Sequence, residues 1–253
     1  HYSEHGVTKV DKVNFSIRGG EILGVAGVQG NGQEQLIKAI TGLIPFQDGT
    51  VKLAGTEIQG MNIAQKRDAG MSYIPEDRMI DGSAPAASIQ DNLISTCYEQ
   101  PKYSGKIFLK QNVIREESQE LIERFSIKTQ SEKEKVSALS GGNIQKVVVA
   151  REWNNKPKLM IAEQPTRGID IGSAAYIHHQ LIDMRNSGAA VLLVSADLNE
   201  VLKLSDRLIV MYEGEIVAYF PSLKGVTESQ LGLYMLGVEH QSEKEIREAS
   251  YDD

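Results

Sequence analysis

A chain of 253 residues can bury a large core as one large domain or two small ones. Hydrophobic residues make up 41% and charged residues 24%, ordinary soluble values, and no run reaches the roughly 18 apolar residues a membrane helix needs. The formal net charge of -7 disfavours broad contact with nucleic acid or anionic lipid, and the single cysteine, Cys97, excludes an internal disulfide and fits a reducing compartment. No secretory pattern opens the sequence.

In chain order, alternating apolar positions at 13–17 and 49–54 predict antiparallel strands. Short apolar runs at 22–26, 71–74, 159–162 and 191–195 predict strands buried on both faces, as in a parallel sheet. Helical patterns cover 33–41, ending at Gly42, and 173–186, ending before Gly188. Residues 77–136 carry apolar positions at helical spacing, among them Val113, Ile114, Leu121, Ile122 and Phe125, and read as an inserted helical subdomain. Residues 207–219 alternate again, with Glu213-Gly214 as a hairpin turn. The acidic, polar tail at 239–253 is expected to be a frayed helix or disordered. Strand, turn and helix in alternation give an α/β fold.

Between the strand at 23–26 and the helix opening at Gln33, Gly27-Val28-Gln29-Gly30-Asn31-Gly32 keeps the glycine spacing of a phosphate loop, Walker A. Glycines let backbone N–H groups turn inward, and the helix that follows offers open N–H groups and partial positive charge. Gln33, Glu34 and Gln35 continue the motif with altered chemistry. A lysine at position 33 would reach the β- and γ-phosphates, and a hydroxyl at 34 would hold Mg²⁺. Gln33 has reach but no charge. A Glu34 carboxylate roughly 4 Å from a phosphate oxygen costs on the order of 1 to 4 kcal/mol for ε between 80 and 20. This stretch alone reads equally as an ordinary strand–turn–helix.

The rest of the chain decides. Leu139-Ser140-Gly141-Gly142-Asn143 resembles the signature of ATP-binding-cassette (ABC) proteins, whose serine and glycyl amides meet a γ-phosphate belonging to a partner domain. Residues 158–170 resemble the Walker B strand and D-loop of that family, with Pro165-Thr166 fixing the register. Glu163 then stands where the Mg²⁺-associated Asp is expected, and Gln164 where the general-base Glu is expected. Gln cannot accept a proton from water, a loss of about 10²- to 10⁴-fold in rate. Ala196 replaces the switch histidine, and Asp197 cannot replace its donor. Glu76 stands for the Q-loop glutamine, and Gly168-Ile169-Asp170 keep the D-loop.

These motifs lie in family order across most of the chain. The resemblance implies a P-loop (RecA-like) mixed sheet with an antiparallel β subdomain and a helical insert, over residues 1–238. It is nearest to the degenerate second cassette of bacterial nucleoside importers, with the ribose and galactose branch as the near alternative. Glu163 departs from the small residue expected there. The resemblance further implies that Gln33, Glu34, Glu163, Gln164 and Ala196 leave no intact catalytic set. ATP binding in the chain's own site is then expected to be weak or absent. Ser140, Gly141 and Gly142 would complete the Mg²⁺-ATP site of a first cassette on the same polypeptide. Implied partners are that cassette, permease subunits facing Glu76 and the helical insert, and indirectly a substrate-binding lipoprotein, at the cytoplasmic face of the inner membrane. No nucleic acid is expected. The start at His1 suggests an excised second half; Tyr2, Glu4 or His5 falls near the place of an adenine-stacking aromatic.

Other features have plainer readings. His178-His179 point about 100° apart on a helix and cannot chelate one ion together, so no metal site is expected. Trp153 reads as packing and Cys97 as inert. Glu116-Glu117 and the charges at 132–135 read as solvated helix faces. A chromosome-organising cassette would need a coiled coil between Glu76 and Leu139, and no heptad run lies there. A regulatory module that uses the pocket for another metabolite is the remaining alternative.

Overall fold

The computed structural model describes residues 1–45 and 47–249, which form two compact units. The first contains His1–Tyr73, Lys158–Gln164 and the described part of Leu181–Asp253; the second contains Ile74–Pro157 and Pro165–Gln180. Among the described residues the strands are β1 Tyr2–Glu4, β2 Val7–Val10, β3 Ile22–Ala26, β4 Lys52–Leu53, β5 Thr56–Glu57, β6 Met71–Ile74, β7 Leu159–Glu163, β8 Ala190–Val194, β9 Arg207–Tyr212 and β10 Glu215–Phe220. The helices are α1 Gln33–Thr41, α2 Ile63–Asp68, α3 Ile89–Ile94, α4 Gln111–Arg124, α5 Gly141–Asn154, α6 Ile171–Asn186, α7 Leu198–Leu204, α8 Glu228–Met235 and α9 Glu243–Arg247.

The central sheet runs β10-β9-β3-β8-β7-β6. Strand β3 is parallel to β8 and β9, β7 is parallel to β8, and β9-β10 is the antiparallel hairpin expected at Glu213-Gly214. The mixed α/β class and the buried strands are therefore as the sequence predicts. Every residue of β3 and β8 is buried, which is why these runs show no polar alternation. Period two survives in what they touch. Leu23, Val25, Ile209 and Met211 pack with Leu36, Ile37 and Ile40 of α1. Ala26, Leu208 and Val210 pack with Val201, Leu231 and Met235 of α7 and α8. Each such aliphatic side chain contributes about 1.5–3 kcal/mol by leaving water. Gly24 lets α7 close in: a Cβ there would lie 2.4 Å from Ser205 Oγ and 2.8 Å from Val201.

The second unit holds α3, α4, a 3-10 turn at Val136–Ala138, α5 and the start of α6. Its interior is partly polar. Tyr103 Oη donates to Glu117 at 2.5 Å, Asn154 donates to the same carboxylate at 2.7 Å, and Lys102 pairs with it. Burial pushes the Glu117 carboxyl up, but these three partners outweigh it and hold it below its ordinary range. Burial and the Glu117 contact push the Tyr103 hydroxyl upward. Burial likewise raises the Cys97 thiol, away from reactivity. Trp153 packs edge-on against Phe125, with Arg124 stacked on it.

Four expectations are corrected. Residues 13–17 form no strand; Val13, Phe15 and Ile17 alternate because they pack on the core without a ladder partner. Within 49–54 only Lys52–Leu53 pairs, with Thr56–Glu57. Glu117 and Glu132 are not on solvated faces: Glu117 lies in the polar interior, and Glu132 is covered beside Arg115 and Gln119. The tail, as far as residue 249, is docked. Gln241 bonds both Val217 O and Tyr219 N, Ser242 caps α9, and Ser16 N donates to Ala249 O. Ile246 and Ala249, three apart, are the apolar pair that anchors it. Residues 250–253 lie outside the described residues.

Candidate functional site

In the first unit, the glycine loop links β3 to α1. Gly30 and Gly32 adopt left-handed backbones, φ 97° and 100°. A Cβ on Gly32 would meet Lys9 O at 2.2 Å, so the loop is pressed against β2. Asn31 stitches it to the β9-β10 hairpin and to the end of α8: Gly214 N donates to Asn31 O at 3.0 Å, and Asn31 Nδ2 donates to Met235 O at 3.2 Å. Val28 and Gln29 are exposed and Gln35 is half-buried.

Each of the positions 33, 34, 163 and 164 has a partner within the unit. Gln33 is buried, its amide folded over Gly27 and donating to Val28 O at 3.4 Å; a Cβ on Gly27 would lie 1.9 Å from that nitrogen. Glu34 pairs with Lys38 one turn on, at 2.6 Å. Glu163 ends β7, 4% exposed, and accepts from Tyr73 Oη at 2.5 Å. Gln164 has φ 47°, an uncommon backbone for a side-chain-bearing residue, and its Oε1 accepts from Ala196 N at 3.1 Å. Asp197 accepts from Asn199 N and Glu200 N and so caps α7. A magnesium-bound triphosphate needs a cation at 33 and a hydroxyl at 34; an amide turned onto its own loop and a carboxylate paired with lysine do not fit it. Tyr2 is half-buried against the core, while Glu4 and His5 are exposed at the β1-β2 turn.

In the second unit three motifs form one patch. Arg78 Nη1 donates to Arg167 O at 2.7 Å and Nη2 to Gly168 O at 3.2 Å; Arg167 pairs with Glu76. Asp170 accepts from Ser173 N at 2.9 Å and Ser173 Oγ at 2.7 Å. Those bonds hold its carboxyl below the usual range. The signature glycines permit close approach. A Cβ on Gly142 would meet Ser173 Oγ at 2.2 Å, and one on Gly141 would meet Arg78 Nη2 at 2.9 Å. Leu139 is half-buried; Ser140, at the start of α5, is exposed. Ile169 lies between Gly168 and Asp170 on the same loop, its N–H directed at Thr166 O. Sequence reasoning gave Arg78, Arg167 and Ser173 no role, although all three lie in or beside the quoted motifs. Among the described residues no three His, Cys, Asp or Glu side chains gather as metal ligands.

Comparison with known proteins agrees with this arrangement. The ABC transporter family profile matches residues 10–167. The chain is 40% identical over 232 residues to the nucleoside import ATP-binding protein NupA of Lactococcus lactis subsp. cremoris (strain MG1363), covering 92% of this chain and 46% of that protein. It is 39% identical over 232 residues to the guanosine import ATP-binding protein NupO of Bacillus subtilis (strain 168), covering 92% and 45%. The chain thus spans about half the length of these curated relatives. A solved nucleotide-free ATP-binding cassette from an ABC transporter superposes with a TM-score of 0.73 at 22% identity, over 97% of this chain and 94% of that one. The motifs, their order and these likenesses place the chain in the ABC transporter family, as a single cassette.

Proposed function

We propose that this chain is the hydrolytically silent cassette of an import ATPase for nucleosides or simple sugars. Its signature completes the ATP site of a partner cassette on the same polypeptide, with Mg²⁺ held in that partner site. The observation that carries this reading is that Gln33, Glu163 and Gln164 bond to neighbours in the fold and Glu34 is paired with Lys38 on the surface of α1, set against an exposed Ser140 whose oxygen bonds no amide of its own helix. The chain matches about half the length of two import ATP-binding proteins, so the partner cassette is the part of the proposal that the tests below must establish. Glu76 and the helical insert face the permease, a substrate-binding lipoprotein delivers the cargo, and the assembly sits at the cytoplasmic face of the inner membrane. Nucleic acid has no part.

Calorimetry and turnover test this. The isolated chain is expected to bind MgATP no better than about millimolar, some 4 kcal/mol, and to hydrolyse it at background. Low-micromolar binding or sustained turnover would refute the silent-site reading.

A further inference from the structure

The signature helix differs from five other helices of this chain that begin at a hydroxyl, amide or carboxylate residue. Asn62, Ser88, Asp197, Thr227 and Ser242 each turn a side-chain oxygen onto a backbone N–H of the helix they precede. That bond satisfies an otherwise open donor. Ser140 stands at the same place on α5 and makes no such bond. Its Oγ lies 2.9 Å from Asn143 Nδ2 instead.

The direction of that contact follows from chemistry. The other end of the Asn143 amide lies 2.8 Å from the backbone nitrogen of Lys128. A peptide N–H can only donate, so the atom it meets is Oδ1, and the NH₂ group faces Ser140. The Ser140 oxygen therefore accepts from Asn143, and its own proton points elsewhere. A hydroxyl that accepts one hydrogen bond donates the next more strongly.

We infer that Asn143 is a positioning residue that holds the Ser140 hydroxyl as a donor toward a triphosphate carried by another cassette. The chain of bonds runs from Lys128 N–H to Asn143 Oδ1, and from Asn143 Nδ2–H to Ser140 Oγ. It also draws the hydroxyl off the amides of its own helix. The inference rests on the role proposed above for Ser140. The rival role is a plain clip that secures the segment before the signature. Lys146 Nζ bonds Ser126 O at 2.9 Å, so α5 holds that segment at a second point when Asn143 is changed.

The test is a double-mutant cycle on ATP turnover in the complete import ATPase reconstituted with its permease. Ser140→Ala is expected to lower kcat/KM about 10- to 100-fold, the worth of one hydrogen bond to a charged group. Asn143→Ala is expected to lower it about 3- to 10-fold, and by less than about twofold when Ser140 is already alanine. Asn143→Asp keeps the shape and the Lys128 acceptor but captures the Ser140 proton, so it should lose at least as much as Asn143→Ala with its melting temperature unchanged. Whatever part of that loss persists in the Ser140→Ala background measures the added charge. Two results overturn the inference alone: equal Asn143→Ala losses in both backgrounds, or parental turnover in both Asn143 variants while Ser140→Ala is impaired. Parental turnover in Ser140→Ala overturns the proposed function, and the inference with it.

Discussion

The phosphate loop of the first unit and the signature patch of the second use similar polar groups, bonded in opposite senses. Around the loop, each altered side chain makes its hydrogen bond to a neighbour in its own unit: Gln33 to Val28, Glu34 to Lys38, Glu163 to Tyr73, Gln164 to Ala196. Around the signature, the bonds run behind the exposed serine. Arg78 holds the D-loop carbonyls, Ser173 holds Asp170, and Asn143 donates to the Ser140 oxygen. On the proposed reading, polar composition alone does not mark a working site. Whether the polar atoms are committed within the fold or supported from within it does.

The hardest blow to that contrast is Ser140→Arg in the assembled importer. It should cut ATP turnover at least about 10²-fold, the scale of losing a positioned donor, although it lies outside the hydrolysing loop. Turnover near the parental rate would dissolve the distinction. Next comes restoration of the loop. The double change Gln33→Lys, Glu34→Thr should tighten MgATP binding of the isolated chain at least tenfold, about 1.4 kcal/mol, by calorimetry. Hydrolysis should remain at background, since Gln164 still supplies no base. Unchanged affinity would mean that the Asn31 stitches, not the altered side chains, close the loop. An effect of similar size, on stability rather than on binding, is expected from Gly142→Ala, whose new Cβ meets Ser173 Oγ; overpacking of that kind costs about 1–3 kcal/mol, read as a lower melting temperature.

The mildest prediction concerns acid. Glu117 is held below its ordinary value of 4.5 in the folded chain, so the folded state binds fewer protons than the unfolded one. Its stabilisation is complete above that ordinary value and is lost as the pH falls through the lower, folded one. Glu117→Gln should flatten the acid limb of melting temperature against pH. An unchanged limb would show that the polar interior of the second unit is indifferent to this charge.

Much of the fold was legible because buried parallel strands and a glycine-ended helix leave strong local signals. Strands β3 and β6 and helix α1 fall on the residues that the patterns pick out. Three of the four misreadings share one cause; the fourth, at 49–54, is a pairing shorter than the pattern suggested. Alternation at 13–17, the polar tail and Glu117 all depend on partners far away in sequence: Ala249 for Ser16, Val217 for Gln241, Tyr103 and Asn154 for Glu117. The motif residues of the candidate site are assigned from family order alone. The roles of Arg78, Arg167 and Ser173 could not be read that way, because those roles consist of contacts.

On the silent-site proposal, the bond from Ala196 N–H to Gln164 Oε1 bears on how easily activity could be regained. A glutamate substituted at 164 would inherit that amide, which favours the ionised form and makes the carboxylate a weaker proton acceptor. A single codon change there would yield little activity for selection to act on. If this cassette is silent as proposed, recovery would require position 196, the backbone twist at 164 and the loop residues to change together, and such a loss would act as a ratchet.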